Sequence, residues 1–153
     1  MRMWIDTEFN GFKGELISIA IVAEDGAEFY EILEFTDAID PWVMQHVIPV
    51  LNSHHIEQGN PRGVQILKAE IPRWRVRQRL QSFLAGYPVV NLIADWPEDI
   101  ALFCRLLLTE TPGERIDTPY LTMEITRNDY ASKVPHNALE DARAMFRGEI
   151  VEK

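Results

Sequence analysis

The chain has one cysteine, Cys104, so no disulfide can form within it. Cys104 ends the apolar stretch Ile100-Ala101-Leu102-Phe103-Cys104, a setting that predicts a small core residue rather than a nucleophile. No run approaches about 18 apolar residues, and the N-terminus lacks a leader-peptide layout. These absences argue against a membrane span or secretion and predict a cytoplasmic protein. Basic residues are scarce: 15 Lys and Arg face 24 Asp and Glu, a net charge of −9. That deficit argues against a protein that coats nucleic acid through a basic surface. It leaves open an enzyme that grips one strand end, because carboxylates paired with divalent cations attract phosphate. Internal repeats, low-complexity tracts and linkers are also absent.

What is present is the material of an ordinary globule. The 153 residues are 46% hydrophobic and 25% charged, which fits a single domain spanning 1–153. Strands are expected at 1–9, 16–23 and 28–35, the second apolar enough to be buried on both faces, and together they read as an antiparallel meander. Asp40-Pro41 opens a short helix over Trp42 to His46, and Pro49 ends it. Residues 52–70 read as a loop. A helix follows from Pro72 to about Ala85, with Trp74, Leu80, Phe83 and Leu84 as its apolar face and Gly86 as its stop. Tyr87 to Ala94 is a fourth strand. Asp95 and Glu98 then read as a capping box for a helix through Leu108. Arg115 to Thr118 is a fifth strand, and the last helix begins near Asn137. Three strands followed by alternating helices and strands make an α/β fold, a five-stranded mixed sheet flanked by helices.

The chemistry is written at the two ends. The apolar strand Met1-Arg2-Met3-Trp4-Ile5 runs into Asp6-Thr7-Glu8. A strand has a side-chain period of two, so Asp6 and Glu8 share a face, where like charges raise each other's pKa unless a cation lies between them. Asp95 at the end of a strand and Asp141 in the last helix complete a set of four acids. Hard oxygen ligands suit Mg²⁺ or Mn²⁺, and two ions about 3.5–4 Å apart stabilise both the attacking and the leaving oxygen of phosphodiester cleavage. With Asn137 as N-cap, His136 and Asp141 fall at N′ and N4, positions whose side chains normally meet. A histidine there is suited to general-base work. Taken singly, each residue has an ordinary reading as a strand-end charge, a helix cap or a loop histidine; the joint pattern carries the weight. His46, His54 and His55 read as surface histidines. Arg62, Lys68, Arg73, Arg75, Arg77 and Arg79 crowd 18 residues in which Glu70 is the only acid, either a solvated helix face or a phosphate-steering patch.

Asp6-Thr7-Glu8, the strand-end Asp95, and His136 five residues before Asp141 resemble the DEDDh 3'-5' exonucleases, which include ribonuclease T, oligoribonuclease and polymerase proofreading subunits. The likeness runs from residue 6 to about residue 144. Gly11 and Phe12 match the glycine and bulky apolar residue that follow the family's first motif. Asn91 lies four residues before Asp95 as in the second motif, but Ala94 replaces the usual phenylalanine. Ile116-Asp117-Thr118 is similar to the strand before the third motif, with Asp117 structural or standing behind the ligands. The small, acidic chain looks most like the stand-alone bacterial and phage exoribonucleases.

The resemblance implies a ribonuclease H-like fold and a metal-dependent 3'-5' exonuclease acting on single-stranded RNA or DNA 3' ends. It implies that Asp6, Glu8, Asp95 and Asp141 hold two Mg²⁺ or Mn²⁺ ions and that Glu8 also orients the attacking water. His136 would take its proton, and Thr7, Phe12 and Trp96 would contact substrate. It further implies a homodimer. Two rivals remain at this point: a catalytically inactive nucleic-acid-binding or interaction module of the same fold, and a small-molecule phosphoesterase or nucleotide pyrophosphatase.

Overall fold

A computed structural model describes residues 1–53 and 68–151. Its centre is a mixed sheet formed by β1 (Arg2–Phe9), β2 (Leu16–Ala23), β3 (Glu28–Leu33), β4 (Glu70–Ile71), β5 (Val89–Ala94) and β6 (Tyr120–Ile125). The spatial order is β4-β3-β2-β1-β5-β6. β1, β2 and β3 form the expected antiparallel meander, and β5 runs parallel to β1, so both strands end at the same edge of the sheet. All eight residues of β2 are buried, because this strand is central and helices cover both its faces.

The alternation along β1 divides the core. Met3 and Ile5 pack with β2 and β5 against α2 (Arg73–Leu84) and α3 (Pro97–Leu106). Trp4 points the other way, to Ile93 and to Met145 of α4 (Ala138–Arg147). On that second face α1 (Pro41–His46) and α4 close over Ile17, Ala20 and Val22. The small residues Ala138, Ala142 and Ala144 let α4 lie flat on the sheet. Arg143, 3% exposed, joins Glu140 of its own helix to Glu28 of β3 through bonds of 2.7 Å. Arg143 and Glu140 are buried while Glu28 is exposed; removing one member of the buried pair typically costs about 3–5 kcal/mol, so this pair pins the helix that carries Asp141.

Several expectations need correction. Among the described residues the sheet has six strands, not five. β4 is two residues long, too short for any periodic signal. The strand expected at Arg115 to Thr118 is instead β6, and Arg115 makes only an isolated bridge to Leu108. β6 is an edge strand with little burial, so its sequence lacks the alternation that burial imposes. Asp95 does not cap α3. Pro97 at the first helical position holds the preceding Trp96 extended, making Trp96 the N-cap without a side-chain bond. Cys104 lies exposed on α3, its Sγ 3.9 Å from the Met123 sulfur, rather than in the core. Trp74 is 55% exposed beside Arg75; the buried face of α2 is Val76, Arg77, Leu80 and Leu84. Of the basic run, Lys68 and Arg79 pair with Glu31 and Arg77 pairs with Glu110. Arg62, His54 and His55 lie outside the described residues. Among the described residues no helix is long and apolar enough to cross a membrane.

Candidate active site

Parallel β1 and β5 deliver Asp6, Glu8 and Asp95 to one edge of the sheet, the place where open α/β sheets bind ligands. Trp4 of β1 faces α4, and the period of two sends Asp6 and Glu8 to that same side. There they meet Asp141. Oxygen atoms of Asp6, Glu8 and Asp141 lie within 4.8 Å of one another. Asn137 caps α4 by accepting from the Glu140 amide at 3.1 Å, which places Asp141 at N4 as expected. The Glu140 carboxylate accepts from Arg143 at 2.7 Å.

A second group forms around the same Asp6. Its oxygens, one from Asp95 and one from Asp99 also lie within 4.8 Å of one another. Asp99 is marked by no sequence motif. It belongs to the first turn of α3 and is 2% exposed. Its Oδ1 accepts from the Thr7 amide at 3.1 Å and the Thr7 hydroxyl at 2.6 Å. A sequence signal existed: Asp99, Leu102, Phe103 and Leu106 follow the i, i+3, i+4, i+7 spacing of a buried helical stripe. A carboxylate on such a stripe needs a reason. The capping-box interpretation of Asp95 and Glu98 concealed it.

Thr7, expected to touch substrate, is 5% exposed and spends its hydroxyl on Asp99. Asn91 sits mid-strand, accepting from Thr122 at 3.0 Å and donating to Glu124 at 3.4 Å, and does not line the cleft. Asp117 is exposed and precedes β6.

Among the described residues the electrostatics of the cluster are those of buried carboxylates confined together. Burial, then the other carboxylates, raises Asp6 well above the carboxylate range. Burial followed by Asp141 and Asp99 lifts Glu8 to about 8. Burial lifts Asp99 to about 7 against the opposing Thr7 bond, and Asp141 to about 6. Asp95 is raised as well, again chiefly by burial. Asp6 Oδ2 and Asp99 Oδ2 are buried without a hydrogen-bond partner. Orphaned acceptors of this kind cost free energy unless a proton or a cation satisfies them. The donors are all hard oxygens, which fit divalent ions such as Mg²⁺ or Mn²⁺.

His136 contacts Asp141 through its backbone, not its ring: the His136 amide donates to Asp141 Oδ2 at 3.0 Å. Its φ of +66° lies in the left-handed region, a strained setting for a non-glycine residue that clusters at functional sites. The imidazole turns instead toward Trp42, with ring centroids 5.0 Å apart. Burial, and secondarily His46, hold its pKa below the ordinary histidine value.

A cleft of about 650 Å³ opens over Asp6, Glu8, Asp99, Asp141 and His136. Phe12 and Trp96 stand in its wall, 87% and 52% exposed. The turn that projects Phe12 is tight. Gly11 takes a φ of +71°, and a Cβ on Gly14 would sit 1.9 Å from the Asn10 carbonyl oxygen. The larger groove of about 670 Å³, beside β6 and α3, contains none of these acids.

No family model matches the chain. Two curated proteins do, each 49% identical over 166 aligned residues that cover 96% of this chain and 90% of the relative. They are 3'-5' exoribonucleases of Mycobacterium tuberculosis, from strains CDC 1551 and H37Rv. An identity of that size over nearly the whole length of both partners leaves one conclusion for the family, and the acid-lined cleft agrees with it: the chain belongs to the 3'-5' exoribonucleases.

Proposed function

We propose that this chain is a metal-dependent 3'-5' exoribonuclease of the DEDDh type, shortening single-stranded RNA one nucleotide at a time. The observation that carries the reading is the sharing of Asp6 between two carboxylate groups within ligand distance. One cation would lie among Asp6, Glu8 and Asp141, the other between Asp6 and Asp99 with Asp95 at the rim. When bound, the ions would make water acidic enough to ionise near neutral pH and offset charge developing on the phosphate.

The protein's own groups do the rest. Phe12 and Trp96 stack on bases at the 3' end, each contact contributing about 1–3 kcal/mol irrespective of base identity. Glu8 orients the attacking water. His136, kept neutral at working pH by its lowered pKa, takes the proton as the water oxygen bonds to phosphorus. The bond from phosphorus to the 3' oxygen of the penultimate nucleotide breaks. A nucleoside 5'-monophosphate leaves, and the shortened strand keeps a 3' hydroxyl.

The reading treats the whole chain as one exonuclease domain, supported by a single sheet against which α4 packs. It also takes the active form as a homodimer. The likeness to dimeric family members supports this, and β6 offers a free sheet edge bearing exposed Tyr120, Met123 and Ile125.

The test is a ladder of 5'-labelled single-stranded RNA and DNA with Mg²⁺ or Mn²⁺ against EDTA, beside Asp6→Ala. Stepwise shortening of RNA that needs both metal and Asp6 is expected. An intact ladder with folded protein and metal would overturn the reading.

A further inference from the structure

We propose that Trp42 is a positioning residue that holds the His136 imidazole in its working orientation. The inference rests on the general-base reading of His136. Among the described residues no hydrogen bond fixes the His136 ring; the bond it makes to Asp141 uses the backbone amide. A ring with no polar tether rotates about χ1 and χ2 unless packing stops it. What meets it most closely is the Trp42 indole, with centroids 5.0 Å apart and planes at 83°, an edge-to-face arrangement that aromatic rings favour; the His46 ring stands farther off, at 6.5 Å.

Trp42 is itself held on three counts. The His46 ring stacks on it at 4.4 Å with planes 18° apart. His46 Nδ1 lies 2.8 Å from the Trp42 carbonyl oxygen, which can only accept, so Nδ1 donates. Asp40 caps α1 by accepting from the Trp42 amide at 2.8 Å. The Asp40 amide in turn donates to Asn10 Oδ1 at 2.8 Å, and Asn10 follows Glu8 by two residues. A short chain of contacts thus runs from the strand that carries Asp6 and Glu8, through Asn10, Asp40 and Trp42, to the imidazole. It sets the base relative to the acids independently of the backbone path to α4. Proton transfer needs such registration, since a misplacement of about 1 Å can cost on the order of 10²-fold in rate.

Trp42 is also 50% exposed toward the cleft, so a wall that stacks on a nucleobase is the rival to exclude. The two roles separate in a double-mutant cycle on the full chain with single-stranded RNA. His136→Ala alone is expected to lower kcat about 10²–10⁴-fold. Trp42→Ala should lower kcat by roughly 10–100-fold and leave KM within about threefold, whereas Trp42→Phe, which keeps an aromatic edge, should restore most of the rate. In the His136→Ala background Trp42→Ala should cost less than about twofold more, because a residue acting through His136 has nothing left to position. His46→Ala should follow the same pattern with a smaller loss, and supplies the test if Trp42→Ala does not fold. Multiplicative losses, or a raised KM at unchanged kcat, would overturn the proposal. Full activity in His136→Ala would remove the base assignment itself, an outcome distinct from additivity in the cycle.

Discussion

The two carboxylate groups that share Asp6 differ in how they are built. Asp6, Glu8 and Asp141 come from a strand face and a capped helix start, and each is placed by a short-range rule: period two on β1, and the Asn137 cap on α4. Asp6, Asp95 and Asp99 come from a strand end and a helix whose first turn is displaced by Pro97. The first group is open to the cleft. In the second, Asp99 reaches the same cleft but is 2% exposed and held by the Thr7 hydroxyl. A legible site and a concealed one therefore meet at a single residue, and substitutions can show whether they act as one.

Asp6→Asn should have the largest effect, because it enters both groups: RNA hydrolysis should fall by at least about 10⁴-fold, near the limit for residues that act as a unit. Loss of less than tenfold would separate the groups. Asp99→Asn, which keeps an acceptor for Thr7, should cost about 10²–10³-fold in kcat, the scale seen when one group stabilising developing charge is removed. Asp95→Asn should cost at least tenfold less than that. The reverse order in steady-state assays would return the role to Asp95 and demote the buried acid. Thr7→Val should weaken Mn²⁺ binding about 10-fold, as loss of a group that orients a ligand commonly does, and leave KM for RNA unchanged; a raised KM with unaltered metal affinity would make Thr7 a substrate contact.

The last effect is on stability rather than on rate. Glu8, Asp99 and Asp141 have pKa values raised to about 8, 7 and 6 in the folded, metal-free protein, against ordinary values near 4 when unfolded. Over that interval the folded state binds more protons, so the stability they contribute is fully present below pH ~4 and is lost as pH rises through about 6 to 8. Thermal unfolding in EDTA should give a Tm that falls from pH 5 to pH 8, and Mg²⁺ or Mn²⁺ should remove most of the fall. A Tm flat with pH in EDTA would mean that the acids are better solvated than their burial implies.

Where the sequence was legible, short-range physics placed the residues. The Asp40-Pro41 and Asn137 caps, the meander and the shared face of Asp6 and Glu8 all follow from spacing over a few positions. What was lost depended on tertiary context. β4 exists only because it lies beside β3. β6 carries no alternation because one side of it is open. Asp99 joins the acid cluster only because α3 packs against β1, where Thr7 can reach it. The His136 ring meets Trp42, far away in sequence, rather than its neighbour Asp141. The phosphate-steering alternative for the basic run weakened for the same reason, since Lys68, Arg77 and Arg79 find acids on other elements.

The most direct test is calorimetric titration of the metal-free protein with Mn²⁺, comparing the wild-type chain with Asp141→Asn, Asp99→Asn and Asp6→Asn, each checked for folding by circular dichroism. Two sites in the wild-type chain, one retained in each of Asp141→Asn and Asp99→Asn, and severe weakening of both in Asp6→Asn are the results expected of two groups joined at Asp6. A single site in the wild-type chain, or two undiminished sites in Asp99→Asn, would contradict it.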